Sequence, residues 1–315
     1  MGTPPFPEIG PEQVAAEFER NVQPGSAVVA VKPLAKAYGH LGFWLRTDQG
    51  TEWLLKIARL PAEILRLRRT QEATALALEA GVPVPRVLCT AIGERFGGLP
   101  YLVQEYLPGV DGEDAWPGLS SDQQNEFLVA FGAATARLHG VTGAAFTENK
   151  VAEKDAASWG AHVNARLEHV TKLNLRWETL PPDELNAHAQ RLRGAAERVA
   201  GVIVPTLTHR DLFLRNTLAR EGRFAAILDF EHARFTDPVM EFVKLDALLF
   251  KPHQGSEEPF MRGYRSVRPE PFPREEERRS LCWGLEFLGA MPFYARNGQT
   301  DELERARTAI RATRL

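Results

Sequence analysis

Residues 206–241, TLTHRDLFLRNTLAREGRFAAILDFEHARFTDPVME, carry His209-Arg210-Asp211, then Asn216 five residues after the aspartate, then Asp229-Phe230-Glu231. A carboxylate, a carboxamide and a second carboxylate form the set that phosphoryl transfer requires. One carboxylate orients a hydroxyl, and an Asn/Asp pair holds magnesium against nucleotide phosphates. The apolar run 224–228 follows a Glu221-Gly222 turn signal and predicts a buried strand that delivers Asp229 at its end. The three groups then converge from the two sides of a hairpin.

The elements that must position them lie upstream. Residues 26–32, 41–47 and 52–58 alternate apolar with polar side chains and predict strands, with Asp48-Gln49-Gly50 as a hairpin turn. The joint before the second strand, Ala37-Tyr38-Gly39-His40-Leu41-Gly42, has Gly39 and Gly42, which would let backbone amides approach phosphates. A plain glycine turn is the alternative, and no GxGxxG fingerprint is present. Lys56 sits in the inward-outward pattern Trp53-Leu54-Leu55-Lys56-Ile57. A helix follows from Pro61 to Gly81, with Glu72 as its best internal carboxylate and Glu63 and Glu79 as competitors. A strand lysine paired with a helix glutamate can hold the phosphates of a nucleotide. Residues 84–88 and 99–107 complete an antiparallel sheet. The last strand stops at Pro108-Gly109, where the backbone of Glu105, Tyr106 and Leu107 can read a purine edge or simply enter a turn.

Residues 109–118 read as a linker, and the chain beyond is largely helical. Ser121 and Gln124 make a capping pattern, and Phe127, Leu128, Phe131, Ala134 and Leu138 recur at helical spacing. His139 at that helix end reads as structural. Two helices are expected within 141–202 and one over 238–250, with Asp237 as N-cap and Pro238 after it. Residues 251–273 read as a proline-rich loop, and two helices over 274–297 and 300–314 finish the chain. Trp159, Trp177 and Trp283 are candidate stacking platforms for a substrate.

A chain of 315 residues suits two lobes. Its 44% hydrophobic and 25% charged residues, with a formal net charge of −3, fit a globular protein and argue against nucleic acid as the main partner. Cys89 and Cys282 have neither metal nor redox spacing and read as reduced thiols. No run approaches the ~18 apolar residues of a membrane span, and MGTPPFPEIGPEQ has no basic and apolar leader pattern. The expectation is a cytoplasmic protein without membrane attachment, monomeric or homodimeric.

Taken together, Lys56, Glu72, the LEAGVPVP run over 78–85, residues 101–109, Leu138-His139, the 206–241 stretch and Asp237-Pro238 resemble the aminoglycoside phosphotransferase and choline kinase superfamily. The resemblance implies an α+β, bilobal protein-kinase-like fold with an antiparallel-sheet N-lobe and a mainly helical C-lobe. The corresponding boundaries are a nucleotide-binding lobe over 1–108, a hinge over 109–118 and a C-terminal lobe over 119–315. That lobe would hold the catalytic loop (207–241) and substrate-binding helices (141–202 and 251–315). By the same resemblance Asp211 is the catalytic base, Asn216 and Asp229 hold Mg2+, and Lys56, positioned by Glu72, holds the phosphates of ATP or GTP beneath Gly39 and Gly42.

Three positions depart from the pattern. Arg215 stands where a small residue is usual, Glu231 replaces a glycine, and Glu241 replaces an aspartate; each is a candidate substrate contact. For Arg215 a structural ion pair, and for Glu231 a surface carboxylate, are the alternatives. His-Arg-Asp-Leu-x-x-Arg-Asn is also a protein tyrosine kinase pattern. Only seven residues separate Asp229 from Asp237, however, which leaves no room for an activation segment, and no Ala-Pro-Glu follows. The leading expectation is a small-molecule O-phosphotransferase acting on an antibiotic, aminoglycoside-like or another natural product. A metabolite kinase of the choline, ethanolamine or thiamine type is the first alternative, and a weakly active nucleotide-binding scaffold is the alternative of another class.

Overall fold

The computed structural model describes residues 8–34, 40–147 and 155–314. The chain divides into two compact units: residues 1–127 with 215–233, and residues 128–214 with 234–315.

The first unit is built on a five-stranded antiparallel sheet, in the order β1-β2-β3-β5-β4. The strands are β1 (Val28–Pro33), β2 (His40–Thr47), β3 (Glu52–Ala58), β4 (Val87–Gly93) and β5 (Leu99–Glu105). The period-two pattern of β3 is realised: Trp53, Leu55 and Ile57 are buried, and Leu54 and Lys56 point to the other face. On the buried face these side chains join Phe43, Leu45, Tyr101 and Val103, covered by Val14 of α1 (Pro11–Glu17) and by Phe18. Helix α2 (Ile64–Glu79) lies against the opposite face, where its Leu67 packs on Leu102 and Ala58. Lys56 is paired directly with Leu102 and with Gly42 across the sheet, so its side chain rises on the α2 side. Strand β4 begins at Val87, three residues later than the run 84–88 suggests, because Pro83 and Pro85 lack the N–H a ladder needs.

The same unit has a small sheet of β6 (Val110–Asp111), β8 (Thr217–Arg220) and β9 (Arg223–Ile227), with the short helix α3 (Gly112–Ala115) after β6. Glu221 and Gly222 both take positive φ between β8 and β9, as a two-residue hairpin turn demands. Phe127 packs edge-on against Trp116 and Phe224. The expected hairpin therefore exists, and β9 ends two residues before Asp229.

The second unit is helical. Helix α4 (Ser121–Leu138) leads into it, followed by α5 (Trp159–Arg176), α6 (Pro182–Val199), α7 (Val239–Leu245), α8 (Glu257–Val267), α9 (Glu275–Arg296) and α10 (Thr300–Ala312). A two-stranded antiparallel ribbon of β7 (Thr206–Thr208) and β10 (Arg234–Thr236) accompanies them. Val163, Leu167, Leu192, Val243, Leu281 and Leu285 fill the core. Trp159 is buried in this core and is unavailable as a stacking platform. Residues 251–273 are not simply a loop, since α8 forms inside them. Pro259 falls in its first turn, where its missing N–H costs nothing. A Cβ on Gly132 would strike the Phe260 carbonyl, and one on Gly263 the Val129 carbonyl, so this glycine pair lets α8 lie directly on α4. None of the helices is long and apolar enough to cross a membrane, among the described residues.

Candidate active site

In the first unit, β9 and the residue after it bring Asp229 to a turn with φ +62 and ψ 65, a left-handed conformation rare for a side-chain-bearing residue. The Leu228 amide donates to the Asn216 carbonyl at 2.8 Å, so the strand end carrying Asp229 runs beside Asn216. Lys56 Nζ donates to Asp229 Oδ1 at 3.4 Å, across 173 positions of sequence. The Asp229 carboxylate and the Asn216 side-chain carboxamide carry the hard oxygen donors that magnesium accepts when phosphates and water complete its shell. No group of three or more His, Cys, Asp or Glu arranged to hold a metal ion occurs among the described residues, and a site shared with phosphates needs none.

Lys56 and Asp229 line a small cavity of about 20 Å³ together with His40, Thr70, Thr74, Gln104 and Glu231. The expected Lys56–Glu72 pair is not formed. Helix α2 buries Leu67, Thr70, Thr74 and Ala77, which places Glu72 on the exposed side of the helix. Among the described residues Glu72 has no ion pair, and the helix offers threonines to the lysine.

The charge from α2 is instead Arg66. Its guanidinium lies 3.4 Å from Glu231 and 3.3 Å from His40 Nε2, and His40 Nε2 is 3.5 Å from Glu231. His232 adds a fourth member at 3.3 Å. Burial works against a charged Glu231, but the His232 hydrogen bond, the Arg66 guanidinium and His40 overcome it and bring the carboxyl down to about 2. His40 moves down from its ordinary value, chiefly because it is buried. Glu231 is thus neither a bare surface carboxylate nor left open to an acceptor; it ties the Asp229 turn to α2. Arg215 is exposed and pairs with Glu113 at 2.7 Å.

The amides of Glu105 and Tyr106 donate within the sheet region, to Arg86 and Glu52 carbonyls, whereas the Leu107 amide has no partner among the described residues. Gly42 lies in β2 opposite Lys56. Gly39 falls outside the described residues.

In the second unit, the loop after β7 carries His209, Arg210 and Asp211. Arg210 has φ +68, and its neighbours fix that conformation. Both Glu241 oxygens accept backbone amides, from His209 at 2.6 Å and from Arg210 at 2.9 Å. Glu241 is wholly buried, with His139 Nε2 at 3.7 Å. Burial pushes its pKa up, and His139, His209 and Arg210 outweigh that, leaving it below the usual carboxylate range. Glu241 therefore cannot be the substrate contact expected of it; it holds the loop. His139 Nδ1 is 2.9 Å from the Tyr264 hydroxyl, which fits its structural reading.

Arg210 donates to the Met240 carbonyl at 2.8 Å and to Glu286 at 3.0 Å. Asp237 accepts from the Val239 amide at 2.8 Å as the cap of α7, and from Arg278 at 2.5 and 3.0 Å. Asp211 is half-buried, with Lys244 Nζ at 3.7 Å. Lys244, Arg278 and Glu286 lie outside the motifs singled out in the sequence. Of these Lys244 left a trace, a cation inside the apolar run Phe242–Leu249.

Residues 30–276 match the phosphotransferase enzyme family. The chain belongs to that family. The family is one of phosphotransferase enzymes, and the kinase-like fold expected from the sequence is the one found. A putative fructosamine-3-kinase from Thermobifida fusca superposes with a TM-score of 0.68 at 18% identity, over 96% of this chain and all (100%) of that one. Aminoglycoside phosphotransferase APH(4)-Ia, in ternary complex with ADP and hygromycin B, gives a TM-score of 0.66 at 17% identity, over 96% and 97% of the two chains. Among curated sequences, mouse acyl-CoA dehydrogenase family member 10 is 26% identical over 189 residues, 59% of this phosphotransferase. The chain spans only 17% of the length of that relative.

Proposed function

We propose that this phosphotransferase moves the γ-phosphoryl group of ATP or GTP, as its magnesium complex, to a hydroxyl of a small molecule in the cytoplasm. The single observation behind this reading is the turn in which Asp229, beside Asn216, meets Lys56 at 3.4 Å. It joins a metal-binding carboxylate to a phosphate-binding ammonium within one unit. Asn216 and Asp229 would hold magnesium, which supplies charge neutralisation on the phosphates. Lys56 would bind the phosphates, and the unpartnered Leu107 amide would take the purine edge. Asp211 orients the acceptor hydroxyl. Its oxygen bonds to the γ-phosphorus as the bond to the β–γ bridging oxygen breaks. The hydroxyl proton passes to the Asp211 carboxylate, and the nucleoside diphosphate leaves with the bonding electrons.

An antibiotic acceptor is supported by the APH(4)-Ia complex with hygromycin B. A metabolite acceptor is supported by the fructosamine-3-kinase likeness. Asp211→Asn tests the mechanism: nucleotide binding by calorimetry should persist while transfer falls on the order of 10³-fold or more. Unimpaired turnover in that variant would remove Asp211 as the base, whereas nucleotide binding without turnover in the wild-type protein would leave a nucleotide-binding scaffold.

A further inference from the structure

Helix α7 buries every residue except Lys244. Its stem leaves the helix three residues after Glu241, and its ammonium reaches to 3.7 Å from Asp211. The carboxylates around it already have cationic partners of their own. Glu286 lies 3.0 Å from Arg210 and 3.5 Å from Arg166. Asp246, two residues after Lys244, is 3.7 Å from Arg279, which also holds Glu275 at 3.1 Å. Glu241 and Asp237 are buried within the loop support.

A polycationic aminosugar needs carboxylates that can accept its ammonium groups. Beside Lys244 it would have to displace an arginine from Glu286 or Asp246 and bring a like charge up to the lysine. An acceptor with an anionic group beside its hydroxyl meets the opposite situation. Its anion takes the Lys244 ammonium, whose long stem turns readily from Asp211, and its hydroxyl takes the carboxylate that the lysine leaves.

Resting on the assignment of Asp211 as the acceptor-orienting base, we infer that Lys244 is the specificity-determining residue and that it selects hydroxyl acceptors bearing a nearby anionic group over polycationic aminosugars. The transfer itself is unchanged: oxygen to γ-phosphorus, proton to Asp211, nucleoside diphosphate as leaving group.

The test uses one sugar scaffold in three charge states (glucuronate, glucose and glucosamine) with kanamycin as the polycation. Initial rates with Mg·ATP or Mg·GTP, and probe binding by saturation-transfer NMR, are measured on the full chain and on Lys244→Met and Lys244→Glu. Lys244 is half-exposed and outside the core, so both variants are expected to fold, and a thermal melt checks this. The wild-type protein should favour glucuronate over glucosamine by tenfold or more. Lys244→Met should abolish that preference through KM, and Lys244→Glu should reverse it. A charge-independent or amine-favouring profile in the wild type, or an unchanged glucuronate KM in Lys244→Met, would overturn the inference. Efficient transfer to kanamycin would do so too while leaving the phosphotransfer reading intact. Lys244-dependent glucuronate binding with no transfer to any of the four probes would count instead against the phosphotransfer reading on which the inference rests.

Discussion

Asp229 ends a hairpin in the first unit with 39% of its side chain exposed and a lysine 3.4 Å away, whereas the loop before Asp211 in the second unit hangs on Glu241, which has no exposed surface. Around Asp229 the partners are other side chains at 3.3–3.5 Å: Lys56 on the aspartate itself, and Arg66, His40 and His232 on Glu231. Around Asp211 the supports accept backbone amides and cap a helix. Partly exposed charge pairs keep some contact with water and can be remade when a new charge arrives. Buried carboxylates bonded to main chain cannot change partner without breaking the fold. On the roles proposed above, the nucleotide-binding residues would be held in a way that lets them re-pair with phosphates and metal, and the base would be set in advance by the chain itself.

The contrast is broken most severely at Arg278. Removing it by Arg278→Ala leaves the Asp237 side chain in the core without the guanidinium that holds it, beneath the first turn of α7. A buried pair broken in this way costs about 3–5 kcal/mol. The matching deletion in the first unit, Arg66→Ala, removes a partly exposed guanidinium and should cost about 1 kcal/mol or less. Urea unfolding of the two variants measures both. Equal losses would erase the distinction drawn between the units.

A smaller effect is expected from acid. Burial alone would raise the Glu286 carboxyl, but Arg210, Arg166 and Lys244 bring it down to about 2 from an ordinary 4.5. Its folded value is depressed, so the stability it contributes is fully present above about pH 4.5 and is lost as the pH falls towards 2. Melting temperature followed from pH 5 to pH 2.5 should fall less steeply in Glu286→Gln than in the wild type. An unchanged slope would show that the Arg210 contact does not hold Glu286 ionised.

The order Asp211, Asn216, Asp229 was legible because the groups are close in sequence and the hairpin between them has a plain turn signal. The sheet was legible from period-two alternation, as at Trp53, Leu55 and Ile57. What escaped notice depends on contacts between distant segments. Arg66 could not be matched to Glu231, or Arg278 to Asp237, by spacing. Helix α8 was hidden by the prolines around it, and its docking on α4 needed Gly132 and Gly263 to meet. Glu241 looked like a changed substrate contact, although the apolar neighbours in Val-Met-Glu-Phe-Val already indicated a buried face.

Glu72 sharpens the comparison from the side of no effect. As the best carboxylate inside α2 it was the natural partner for Lys56, yet the buried positions Leu67, Thr70, Thr74 and Ala77 fix the phase of the helix and turn Glu72 to solvent. A side chain two positions from Thr70 and two from Thr74 cannot reach a lysine that faces those threonines. Glu72→Gln should therefore alter stability by no more than about 0.5 kcal/mol and leave nucleotide affinity within about twofold, an expectation from its lack of any ion pair. Calorimetric titration with Mg·ATP and Mg·GTP, beside Lys56→Met as the sensitive control, decides it. A large loss in Glu72→Gln would mean that α2 rotates to bring Glu72 onto Lys56 when nucleotide binds. The Arg66–Glu231 contact would then have to open at the same step, since Arg66 and Glu72 leave the same helix.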